Sequence, residues 1–232
     1  MHQRIPGLAV ALVLASLLGG CSPSSSAPVA TASPAPLASP TLADTPGRPP
    51  QGAPSAKEET ATFAGGCFWA MQTEFEKLRG VNKVTAGYSG GTAPHPSYEQ
   101  VCTGTTGHAE TVQIVFDPAQ ISYEELVHIF LTAIDPTTKD RQGNDKGTQY
   151  RSAIFFHDPA QEASARKVIA EIDKARLYSQ PIVTEVDPYQ SFYDAEAYHQ
   201  DYFAAHPNQG YCAAVVAPEV NRFVQMNRAR LK

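Results

Sequence analysis

The chain has 232 residues, a net charge of −5, 42% hydrophobic and 18% charged side chains. That length allows one or two domains, and the apolar content is enough to fill a single core. The mild acidity serves solubility, and with no basic cluster and no aromatic residues interleaved with basic ones the sequence offers no surface for nucleic acid.

The two ends do not read alike. Met1, His2, Gln3 and Arg4 make a short basic start, and residues 8–18 form an apolar run too short to span a bilayer comfortably. The run ends in Leu18, Gly19, Gly20 and Cys21, an aliphatic residue and two small ones before a cysteine, which resembles the bacterial lipoprotein signal. The resemblance implies removal of residues 1–20 and lipidation of Cys21, with Ser22 in the next position favouring the outer membrane. Residues 21–57 then carry nine prolines and almost no aliphatic side chain beyond Val29, Leu37 and Leu42. So little apolar surface cannot offset the entropy of ordering, so this segment is expected to be a disordered tether. The folded domain should occupy 58–232.

Residues 61–64, Ala-Thr-Phe-Ala, read as the end of a buried strand. Gly65 and Gly66 turn tightly into a helix in which Phe68, Met71, Phe75 and Leu78 share one face, with Gly80 as its stop. Cys67 is thereby placed in the first helical turn, where unpaired N–H groups and the helix dipole favour an anion. Its thiol is expected to ionise more readily than a free cysteine. A strand over 84–88 leads into a breaker-rich loop at 89–96 and then Tyr98. Val112, Ile114 and Phe116 alternate with Thr111 and Gln113 as a strand with Glu110 at its mouth. Ser122 and Glu125 have capping-box spacing and open a helix to about residue 134. A second loop over 135–147 supplies Asp145 and runs through Tyr150 into a strand at 152–156. Asp158 and Pro159 cap a helix to about 175. A strand at 181–186, a helix at 195–205, a break at 206–210 and a helical stretch at 219–231 complete the chain. Alternating strands and helices imply a single α/β (α+β) domain, a two-layer sandwich with a mixed sheet.

The turn and the two glycine-rich loops each deliver distinctive groups, and together they closely resemble the peptide-methionine (S)-S-oxide reductases, the methionine sulfoxide reductase A family. The matching pieces are Gly-Cys-Phe-Trp at 66–69, Gly-Tyr-Ser-Gly-Gly at 87–91 and Ser-Tyr-Glu-Gln-Val-Cys at 97–102. Gly-His-Ala-Glu at 107–110, the run from Arg141 to Ser152 and Tyr-His-Gln-Asp-Tyr at 198–202 follow in the family's order. The resemblance implies that Cys67 attacks the sulfoxide sulfur and becomes a sulfenic acid while methionine leaves. It implies that Phe68 and Trp69, with Gly66, wall a pocket for the methyl group, and that Glu110, kept protonated by a dry site, serves the oxygen. Tyr98 and Tyr150 would donate to the same oxygen, and Asp145 would anchor the substrate main chain or shape the pocket. Cys212 stands at the family's resolving position, so a Cys67–Cys212 disulfide recycled by thioredoxin or a thioredoxin-like dithiol is implied, with no cofactor and no metal. Cys102 is read as a bystander. Ala70 stands where the motif often continues with Gly or Cys, and no cysteine follows Cys212, which suggests a single resolving thiol. The protein is expected to be a monomer, anchored through Cys21 to a membrane of the cell envelope, on the periplasmic side.

Two other readings compete. Cys67, Phe68, Trp69 and Ala70 faintly echo papain-like cysteine hydrolases, with His199 or His206 and Asn208 at a workable distance, but Ala61 stands where an oxyanion-hole Gln would be needed. A non-catalytic lipoprotein that binds a partner through an aromatic patch leaves Glu110, the tyrosines and the cysteines without a role.

Overall fold

The computed structural model describes residues 58–232. The signal at 1–20, Cys21 and the tether at 21–57 lie outside the described residues. The frame is a six-stranded sheet in the order β7-β6-β1-β3-β2-β8. Its central strands are β1 (Glu59–Gly65) and β3 (Ala109–Phe116), flanked by β2 (Val81–Ser89) and β6 (Ser152–Phe156). β7 (Glu185–Pro188) and β8 (Phe192–Asp194) close the two edges. Every pairing is antiparallel except β6 with β7, so the sheet is mixed as expected.

Side-chain alternation sends Phe63 of β1 and Val112 and Ile114 of β3 to the helical face, and all three are fully buried. Phe63 stacks on Phe130 of α3 (Tyr123–Ala133) at 4.8 Å and meets Phe75 of α1 (Phe68–Glu76) at 6.0 Å. Phe75 in turn meets Phe223 of α6 (Ala217–Met226) at 6.0 Å, which fastens the C-terminal helix over α1. Each such ring contributes about 1.5–3 kcal/mol by leaving water, so this line of aromatics largely fixes where α1 sits. The α1 face read from the sequence is the buried one: Phe68, Met71, Phe75 and Leu78 are all inside. α4 (Pro159–Ala175) starts on an Asp158 cap whose side chain accepts from the Gln161 N–H, and it packs beside α3.

Several elements depart from the sequence expectation. α2 (Tyr98–Cys102) is a short helix with a full capping box between Ser97 and Gln100, whereas Ser122 of α3 receives only the Glu125 N–H. A two-residue hairpin, β4 (Arg141–Gln142) with β5 (Asp145–Lys146), lies in the second loop. The strand placed at 181–186 forms later, at β7. The continuous helix expected over 195–205 does not form. Its first residues make a single 3-10 turn at Ala197–His199, and the short α5 (Tyr202–Ala205) follows only after Asp201, which adopts φ 55°. The reason lies in Gln200. Its amide accepts from the Ala86 N–H at 3.0 Å and donates to the Ala86 and Ala195 carbonyls at 2.9 and 3.0 Å, continuing the sheet edge past the end of β8. Those bonds outweigh helix propensity in this stretch.

Candidate active site

The turn between β1 and α1 holds the nucleophile. Gly66 adopts φ 97°, and a Cβ there would stand 2.7 Å from Cγ of Gln142, so only glycine fits between the turn and the β4 strand. Cys67 is the N-cap of α1 with φ −65° and ψ 120°, one position earlier than the first turn. It is almost fully buried.

The next residue carries the link to the acid. The Phe68 N–H, one of the donors that a helix start leaves unpaired, donates to Oε2 of Glu110 at 3.0 Å. Glu110 sits on β3 opposite Tyr88, on the helical face of the sheet, and only 2% of it is exposed. Burial pushes its carboxyl up to about 8, the Phe68 N–H pulls it down, and the charge of Asp145 adds to the rise. Glu110 is therefore a neutral acid at pH 7.

Cys67 departs from the sequence expectation. Burial, and then the charge of Glu110, push its thiol well above the ordinary range. The N–H groups of Trp69 and Ala70 and the hydroxyl of Tyr211 pull the other way without reversing the shift. The helix start does favour the anion, but the sequence did not show how dry the site is. Glu110 and Cys67 each disfavour the other's charge, so the pair gives up its protons one at a time, and the reactive one-proton form is the one with the proton on the carboxyl and the charge on Cys67.

The other residues assemble around this pair. Tyr98 and Tyr150 are about half-buried, and burial followed by the Glu110 charge raises both hydroxyls, so they stay protonated donors. The Tyr98 hydroxyl also meets the Cys102 thiol, which lies exposed one turn along α2. Phe68 is enclosed by Tyr88, Tyr98 and His199, with ring centroids 5.2–6.4 Å apart. Trp69 stacks on Tyr202 at 3.9 Å and donates its indole N–H to Nδ1 of His199 at 3.1 Å. Asp145 accepts from the Tyr211 hydroxyl at 2.5 Å. Cys212 is fully buried in one apolar cluster with Cys67, Ala70, Val216 and Val220, and both thiols are free. It opens a π-helical turn, Cys212–Val216, in which the Ala217 N–H reaches back five residues to the Cys212 carbonyl. Such turns are rare and concentrate at functional sites. Among the described residues no group of three or more His, Cys, Asp and Glu side chains could hold a metal ion.

Every site residue read from the described part of the sequence is thus drawn to this one region. Two that the sequence reading missed are Tyr211 and Glu196, whose carboxylate accepts from the Tyr88 hydroxyl and the Tyr98 N–H. Nothing local in the sequence signals the contacts of Tyr211 with Asp145 and Cys67. The hydrolase reading fails on geometry, because Nδ1 of His199 is taken by the indole and His206 is an exposed ring against Tyr202.

The family model described as peptide methionine sulfoxide reductase matches residues 59–231. The chain belongs to that family. It is 49% identical over 174 residues to peptide methionine sulfoxide reductase MsrA of Polynucleobacter asymbioticus, covering 75% of this chain and 90% of that one. Over 165 residues it is 52% identical to MsrA of Thermus thermophilus, covering 71% and 93%. Among solved structures it resembles methionine sulfoxide reductase A of Corynebacterium diphtheriae, with TM-score 0.61, 38% identity and 69% and 80% of the two chains covered. Mxr1 of Saccharomyces cerevisiae in its reduced form gives TM-score 0.62, 34% identity and coverage of 69% and 92%. The enzyme is an oxidoreductase that reduces methionine sulfoxide.

Proposed function

We propose that the enzyme reduces the S epimer of methionine sulfoxide, free or in proteins, in two stages. In the first, the Cys67 thiolate attacks the substrate sulfur and the oxygen, protonated from Glu110, passes to Cys67. The thiol is oxidised to a sulfenic acid and the sulfoxide is reduced to the thioether. In the second, the Cys212 thiol condenses with that sulfenic acid, releases water and leaves a Cys67–Cys212 disulfide, which a thioredoxin-like dithiol reduces. The observation that carries this reading is the buried, neutral Glu110 carboxyl tied to the N–H that follows Cys67. A protonated acid beside a nucleophilic sulfur is what a polarised S–O bond requires.

The stereochemistry follows from the two kinds of wall. Phe68 and Trp69 offer the methyl group only apolar surface, while Glu110, Tyr98 and Tyr150 offer the oxygen only donors. Asp145, next to Tyr211, would take the substrate main chain. With Cys67 fixed between them, one hand of the sulfoxide places all three substituents. The reduced enzyme mixed with resolved epimers should release methionine from the S form alone; equal release from both would refute this arrangement of the pocket.

The Cys21 signal supports a place for the chemistry. Lipidated at Cys21 and held off an envelope membrane by residues 21–57, the enzyme would repair oxidised proteins outside the cytoplasm. In cell fractionation the parent should partition with membranes and Cys21→Ala should move to the soluble fraction. An unmodified residue 21 in the mature protein contradicts the anchor.

A further inference from the structure

Behind the pocket wall lies a second polar group. Glu196, in the segment between β8 and the 3-10 turn, accepts from the Tyr88 hydroxyl on Oε2 at 2.8 Å and from the Tyr98 N–H on Oε1 at 2.9 Å. It therefore ties the ring beneath Phe68 to the start of the helix that carries Tyr98. Three residues on, His199 is 2% exposed and packs against Phe68, Trp69, Tyr98, Tyr198 and Tyr202, with ring centroids 4.2–6.5 Å away. Its Nδ1 accepts the Trp69 indole N–H, which leaves the ring proton on Nε2. That Nε2 is buried without a hydrogen-bond partner among the described residues and lies 3.9 Å from Oε2 of Glu196. A buried N–H with no acceptor is destabilising, so an imidazole kept in this setting calls for a compensating role.

We propose that His199 is a positioning residue that sets the size of the methyl pocket by holding the Trp69 indole through Nδ1, with the Glu196 carboxylate keeping the ring in the tautomer that can accept. An indole has two faces and one donor. Stacking on Tyr202 fixes the plane of the ring, and the bond to His199 fixes its rotation within that plane. The wall that Trp69 presents to the substrate methyl then has one position. This inference rests on the reading of Phe68 and Trp69 as the methyl pocket.

Trp69 is the single tryptophan of the chain, so its fluorescence reports on this contact directly. His199→Phe keeps an aromatic ring and removes the acceptor, while His199→Asn offers an amide oxygen near the place of Nδ1. Emission and acrylamide quenching of the reduced enzymes are measured first, and then single-turnover rates on methionine sulfoxide and ethionine sulfoxide. One methylene in a tight apolar pocket is discriminated by about 10–200-fold, and the parent should show a ratio in that range. His199→Phe should red-shift the emission, raise quenching and lower the methyl-over-ethyl ratio by about tenfold, the low end of that range. His199→Asn should restore both. Parent-like emission and an unchanged ratio in a folded His199→Phe enzyme overturn the proposal. If that variant does not fold, His199→Leu takes its place as the variant without an acceptor: a red-shifted emission and a lowered ratio support the proposal, and parent-like emission and ratio in the folded enzyme overturn it. A parent with no methyl preference contradicts the pocket reading instead, and the fluorescence then decides the role of His199 by itself.

Discussion

Cys67→Ser should release no methionine in even a single turnover, whereas Cys212→Ser should release one equivalent and then stop when thioredoxin is the reductant. The two thiols are buried in the same apolar cluster, yet only Cys67 stands beside the Phe68 N–H and Glu110. A serine hydroxyl there is far too weak a nucleophile, and loss of a nucleophile acting as part of a unit costs on the order of 10⁶-fold. Cys212 has a different task. It needs no acid and acts only after the oxygen has been transferred, by displacing water from the Cys67 sulfenic acid. Removing it leaves the first stage intact and blocks the second. Cycling of Cys212→Ser with thioredoxin at the parent rate would give the resolving role to Cys102, whose exposed thiol meets the Tyr98 hydroxyl.

Glu110→Gln should slow methionine release by about 10²–10⁴-fold, the usual contribution of a positioned acid. The amide oxygen can still accept from the Phe68 N–H, so the turn keeps its shape, and the amide N–H can still meet the sulfoxide oxygen. Substrate affinity should therefore change far less than the rate. What the amide lacks is a proton it can give up. The pH profile shows this separately, and its sign follows from the pair. Reaction needs one proton shared between two groups, with the carboxyl protonated and the sulfur ionised, which gives a bell-shaped rate. The acid limb rises as the first proton leaves the pair, near the carboxyl value of about 8. The alkaline limb falls as the second leaves, above the ordinary thiol range, because Cys67 is pushed up as well. The Gln variant has one ionisation left and should show a single rising limb with no alkaline fall. A full bell in Glu110→Gln, or an undiminished rate, assigns the acid to another group.

Much of this site was legible in the sequence because its parts are short and locally determined. Two glycines between an apolar strand and an amphipathic helix can do little except turn, and Gly66 does so at φ 97°. The alternation through Thr111, Val112, Gln113 and Ile114 marked the strand that carries Glu110 at its mouth. What stayed hidden depends on contacts far apart in the chain. The ionisation of Cys67 was misread because the helix start is local, while the burial that outweighs it comes from residues as distant as Cys212 and Val220. The helix expected over 195–205 was broken by the Gln200 amide pairing with Ala86, over a hundred residues earlier. Tyr211 and Glu196 escaped for the same reason, since each takes its meaning from a partner about 66 to 108 positions away.

The most direct test of the account is to find where the oxygen goes. Reduced Cys212→Ser enzyme is mixed with one equivalent of the S epimer in the presence of dimedone, and each cysteine-bearing peptide is then weighed by mass spectrometry. The account predicts one dimedone adduct per released methionine, confined to Cys67, and none in a parallel Glu110→Gln, Cys212→Ser enzyme over the same short interval. Methionine released with no adduct at Cys67, or with the adduct at Cys102, contradicts it.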